Sequence, residues 1–167
     1  MATSTRRRTL DPAASLLRAY AANARINQYL VERLRPEVWR ARVPGWGTKT
    51  IAGLVAHLHN CGLRYLERTD PHADVPGELD RWKVTPAQAI RALGAKRRVV
   101  LEIVGAALAE GRRIVGFPHD AAQYLAYYMI HDAHHRGQIA LLARLLGHPI
   151  SPKTMQGMWQ WGARARE

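Results

Sequence analysis

The chain has 167 residues, 47% of them hydrophobic, and 25 Lys and Arg against 13 Asp and Glu, a formal charge of +12. That apolar fraction is too high for a disordered chain, and the length fits one domain, residues 11–167, behind a short arm. A single cysteine, Cys61, excludes an intramolecular disulfide and a cysteine-based zinc finger, and no run approaches the ~18 apolar residues that span a bilayer.

Residues 1–10 read as a flexible basic arm. The run Arg6-Arg7-Arg8 has no apolar stretch behind it, so no secretory leader is expected and a cytoplasmic location is. Residues 1–50 hold ten basic and three acidic side chains. Such a balance attracts phosphate polyanions without selectivity, but no base-reading motif or stacking platform accompanies it. Specific nucleic-acid binding is therefore not expected.

Asp11-Pro12 opens a first helix, with Asp as cap and Pro at the first turn. Leu16, Leu17, Tyr20, Ala24, Asn27, Leu30, Val31 and Leu34 recur at the helical period, and Pro36 closes the helix. After a turn-rich link at 43–48, a second helix is predicted from Thr48 to Arg68, with Ile51, Leu54, Val55, Leu58, Gly62, Tyr65 and Leu66 on its apolar stripe. Residues 69–85 are loop-like and long for a bundle, which points to a crossover between distant ends. Thr85-Pro86 opens a third helix that reaches Glu110 before Gly111. A fourth helix starts near Pro118 and ends at Leu146, and Ser151-Pro152 starts a short C-terminal helix that ends in Trp159 and Trp161. No alternating strand pattern is visible. The expected architecture is an all-α four-helix bundle.

Helix 4 carries His131, His134 and His135. His131 and His135 are four apart and lie on one face with Tyr124, Tyr128, Gln138, Leu142 and Leu145. Two imidazoles inside an apolar stripe need partners, and a divalent cation that uses both lone pairs is one solution. His57, between Leu54 and Leu58, offers a third imidazole. Three protein ligands leave one open position on a tetrahedral zinc ion. The alternative is a hydrogen-bonded core or surface pair, which this spacing also produces. His59 and His134 are expected to point elsewhere, as supporting or surface residues.

The string His131-Asp132-Ala133-His134-His135-Arg136-Gly137-Gln138-Ile139, followed by Leu145-Leu146-Gly147, resembles the last-helix signature of the DinB/YfiT family. Leu54-Val55-Ala56-His57-Leu58 is similar to that family's helix 2 histidine segment, and Ala22-Asn23-Ala24-Arg25 to its helix 1 pattern. The resemblance covers nearly the whole chain beyond the first ten residues. It implies a bundle in up-down-down-up order and one divalent ion held by His57, His131 and His135, zinc first, with nickel or manganese as alternatives. It also implies a homodimer, and a small-molecule substrate such as a low-molecular-weight thiol. Members often carry a Glu shortly after the helix 2 histidine, whereas this chain has Cys61 at the i+4 position. Cys61 is either a small packing residue or a thiol within reach of the metal.

Around these ligands, Gln138 is expected to bond a ligating histidine or a bound water. Tyr124 and Tyr128 are read as core residues that can also line a pocket, and Arg64, at i+7 from His57, as a group able to meet an acidic substrate. Asp132 is expected to pair with Arg136 on the helix surface, and Gly137 to permit close helix approach. Two functions follow. One is a metal-dependent enzyme that activates a thiol or water, as a thiol-dependent S-transferase, isomerase or hydrolase. The other is a non-catalytic metal-binding, stress-related or interaction protein.

Overall fold

The computed structural model describes residues 10–167, and the predicted arm, Leu10 apart, lies outside the described residues. Among the described residues there is no strand. The helices are α1 (Pro12–Val31), α2 (Ile51–Asn60), α3 (Leu63–Thr69), α4 (Pro86–Ala109), α5 (Ala121–Leu145), α6 (Pro152–Trp159) and α7 (Trp161–Arg164), with one 3-10 turn at Pro36–Val38. None of them is long and apolar enough to cross a membrane.

Local chemistry sets the helix starts. Asp11, Thr50, Thr85, Asp120 and Ser151 each accept a hydrogen bond from a backbone amide in the first turn, and Thr85 and Gln88 form a reciprocal capping box. Each such cap contributes about 1 kcal/mol. Helix α5 therefore begins at Ala121 behind Asp120, not at Pro118.

Packing gives the topology. Leu17 meets Gly105 while Gln28 bonds to the Ile90 carbonyl, so α1 and α4 run antiparallel. Tyr20 and Ala24 cluster with Tyr124 and Tyr128, whereas Ile26 and Leu30 cluster with Ile139 and Leu142, so α1 and α5 run parallel. Val55 shares a cluster with Leu93, and Leu66 with Val100, so the α2–α3 rod runs parallel to α4. The order is up-down-down-up. Two consecutive parallel rods need a long return, and residues 70–85 supply it. His59, fully buried, donates from Nε2 to the Gly77 carbonyl, and Asn60 bonds both the amide and the carbonyl of Leu79. His59 is thus not a surface residue: its Nε2 is held by the crossover, and its buried Nδ1 has no bonded partner.

The single helix predicted from Thr48 to Arg68 is two helices. The chain leaves the helical path at Cys61, and Gly62 takes φ +96°. A Cβ on Gly62 would lie 2.7 Å from Tyr128 Cζ and 2.9 Å from the Tyr124 hydroxyl, so the tyrosines of α5 forbid a side chain there. Lys96, buried on α4, donates from Nζ to the Leu58 and Cys61 carbonyls at 2.6 Å each. It replaces the hydrogen bonds that the break removes and sets a cation at the negative end of α2. The C-terminal segment is also two helices, α6 and α7, with a break at Gln160.

The apolar core falls into two clusters, one around Ile26, Val55 and Leu142, the other around Tyr20, Val100 and Tyr124. Between them, Asp132 Oδ2 accepts from Asn23 and Asn27, at 2.9 and 2.8 Å. Arg136 donates to the amide oxygens of the same asparagines, at 2.7 and 2.8 Å. The expected surface pair of Asp132 with Arg136 is corrected accordingly. Asp132 is buried, and Asn23 and Asn27 stand between the two charges.

Candidate metal centre

The last turn of α2 presents His57, and adjacent turns of α5 present His131 and His135. Their Nε2 atoms converge: His131 Nε2 lies 3.1 Å from that of His57 and 3.2 Å from that of His135. The rings of His57 and His135 are edge to face, with centroids 4.7 Å apart. A ring nitrogen has one in-plane position, filled by a lone pair or a proton. His131 Nε2 therefore cannot serve both neighbours through hydrogen bonds at once. Its Nδ1 is buried without a bonded partner, with Asp132 Oδ1 3.8 Å away. Cys61 joins two of these histidines, since ligand atoms of His57, Cys61 and His131 all lie within 4.8 Å of one another, a set that leaves out His135. That cluster is compatible with a metal ion.

The surroundings set the protonation of each group. Gln138 Oε1 accepts from His135 Nδ1 at 2.8 Å, which leaves His135 Nε2 with its lone pair. The Gln138 amide in turn donates to His134 Nε2 at 3.0 Å. Gln138 thus links His135 to His134. Burial, followed by the neighbouring imidazoles, pulls His57 below its ordinary pKa, and burial does the same to His135 despite Gln138. His131 is pushed up to about 9, first by the Asp132 carboxylate and then by the Cys61 thiol. The Cys61 thiol is pulled down, chiefly by His131.

Of the other expected site residues, Tyr128 comes closest. Its hydroxyl is 3.8 Å from Cys61 Sγ, and burial raises its pKa. Tyr124 is fully buried and donates to the Gly62 carbonyl at 3.5 Å, in the core rather than the cluster. Arg64 falls on α3, beyond the break, with its side chain 81% exposed and 3.6 Å from Glu78. Gly137 does not permit close helix approach, since no atom lies within 4 Å of where its Cβ would be. Sequence reasoning missed Lys96, Asn23 and Asn27 as supports. The signal was there in Lys96, on the helical stripe between Leu93 and Val100, and in two amides four apart on the stripe of α1.

A cavity of 260 Å³ borders His57, lined among others by Lys49, Thr50, Asn60 and Arg81. No curated protein and no solved structure matches the chain. The family model of the DinB superfamily matches residues 19–139, most of the bundle and all the histidines of the cluster, and the chain belongs to that superfamily.

Proposed function

We propose that the chain binds one divalent ion through the Nε2 atoms of His57, His131 and His135 and uses the remaining position to activate a thiol or water, in a thiol-dependent transfer, isomerisation or hydrolysis. The observation that carries this reading is the double approach to His131 Nε2. Separations of 3.1 and 3.2 Å are near the edge of a tetrahedron with metal–nitrogen bonds of 2.0–2.1 Å, about 3.3 Å. One shared cation takes a lone pair from each ring where a proton cannot.

When bound, such an ion supplies a Lewis acid that lowers the pKa of a thiol or water at its open position. The chain's own residues do the rest. Gln138 fixes the tautomer of His135. Tyr128 keeps its proton near neutrality and holds it beside Cys61 Sγ. The cavity next to His57 admits a small molecule, and Lys49 and Arg81 on its wall favour an acidic one. Zinc suits imidazole donors and a soft thiol substrate, nickel suits the same ring set, and manganese, which favours oxygen donors, suits it least.

A second reading rests on Cys61. A thiolate there would close the coordination shell and make the site structural rather than catalytic. Metal analysis tests both, on protein purified without chelator or an affinity tag of histidines. About one equivalent of divalent metal is expected, with none in His131→Ala, whose helical circular dichroism persists. Folded wild-type protein that carries no metal overturns the proposal. Turnover in thiol-transfer assays that survives Cys61→Ser supports the enzyme. Absence of turnover, with loss of the ion in Cys61→Ser, supports the structural site.

A further inference from the structure

The signature on α5 contains two residues that the metal centre leaves unused, Arg136 and Gly137. Both line a second cavity, of 420 Å³, on the side of α5 that faces α1, α6 and α7. Its walls are apolar, with Ile26, Met129, Ile130, Met158, Trp159 and Trp161 among them. Ligand pockets of small molecules have this character: roughly 300–1,000 Å³, mostly apolar, with a few placed polar groups.

We propose that this groove binds a small amphipathic anion, with its apolar body against the methionine and tryptophan walls and its carboxylate on Arg136. A guanidinium has five N–H donors. Asn23 and Asn27 take two of them through neutral amide oxygens, and among the described residues no carboxylate lies within ion-pair distance. A half-buried cation with unspent N–H donors is thus left beside an apolar wall, its nearest counter-charge, Asp132, held off behind the two asparagines, and a carboxylate in the groove would meet it directly in a charge-assisted contact. Gly137 explains the opening. In mid-helix it costs about 1 kcal/mol relative to Ala, and no neighbour needs its lack of a side chain. Its effect is to leave the floor of the groove empty. A second copy that docks through α5 and α6 would bring no carboxylate to Arg136, because these helices carry a single acidic residue, Asp132, and that one is buried.

Titration of tag-free protein with octanoate, octanol and acetate tests this, read by calorimetry and by the fluorescence of Trp159 and Trp161. Octanoate is expected to saturate at one site, octanol to bind about tenfold more weakly, and acetate not to bind. Gly137→Leu fills the groove and abolishes octanoate binding while the melting temperature holds or rises. Arg136→Gln weakens octanoate about tenfold and leaves octanol unchanged. Absence of saturable octanoate binding overturns the proposal, as does equal affinity for octanol, or a Gly137→Leu variant that binds like wild type. Sedimentation supplies one more outcome: a wild-type dimer that ignores octanoate, and a monomeric Gly137→Leu, would assign the groove to a second copy. Metal-free and metal-loaded protein should bind alike, so this result and that of the metal proposal stand or fall separately.

Discussion

Gln138 touches the candidate centre at one remove. Its carbonyl holds the Nδ1 proton of His135, so that Nε2 is the free donor. Removal of such a partner typically weakens metal binding 10- to 100-fold. Gln138→Leu is therefore expected to bind zinc more weakly by roughly that factor with an unchanged fold, whereas Gln138→Glu, which still accepts, keeps most of the affinity. Competition with a chromophoric chelator measures both, and an affinity of Gln138→Leu equal to wild type contradicts the role. Lys96 acts on the backbone instead. Lys96→Met leaves the Leu58 and Cys61 carbonyls without their donor, at a cost of about 2 kcal/mol. Burial also holds the Lys96 ammonium below its ordinary 10.5. The unfolded chain then binds that proton more tightly than the folded one, so wild-type stability rises as pH climbs through the folded-state value toward 10.5. Lys96→Met lacks that rise, and the gap between the two proteins widens with pH in urea titrations. A gap constant across that range would show that Lys96 keeps its ordinary pKa.

At the scale of elements, what was legible in the sequence followed from local chemistry. Each long helix shows a helical apolar period, and Asp11-Pro12 and Thr85-Pro86 mark the starts of α1 and α4, whereas the caps of α2 and α5, Thr50 and Asp120, lie two residues beyond the starts read from the sequence. The break after α2 was not legible, because its cause is not local. Gly62 looks like any glycine on a helical stripe until Tyr124, 62 residues further along, and Tyr128 press against it. The site divides in the same way. His131 and His135 show by their spacing on one helix, and His57 joined them through its flanking leucines and the family likeness. Lys96, Asn23 and Asn27 stand out as polar residues on apolar stripes, but their partners lie on other helices, so the sequence does not show what they hold. Gly62→Ala tests the account of the break. A Cβ there meets two tyrosines under 3 Å and sits at positive φ, so a loss of about 2–3 kcal/mol is expected in denaturant melts, far more than at an ordinary glycine. A loss below 1 kcal/mol would mean that the tyrosines yield.

For the whole molecule, the candidate centre ties α2 to α5 across the middle of the bundle, between the two apolar clusters. An ion bound only by the folded chain stabilises it by about 2.7 kcal/mol at 100-fold excess over Kd. For a chain of this size that is about 5–10 °C in melting temperature, so a chelator should lower the transition by that much in wild type and leave His131→Ala unmoved. The proposed ligation would also reach the crossover. Three residues beyond His57, Asn60 clasps Leu79 in both directions, and the Leu79 amide donates to its side chain at 2.8 Å. Slackening the end of α2 by chelation should therefore speed deuterium uptake at that one amide before the bundle as a whole loosens. With that ligation, the clasp would make a distant strap a local gauge of whether the histidines are filled.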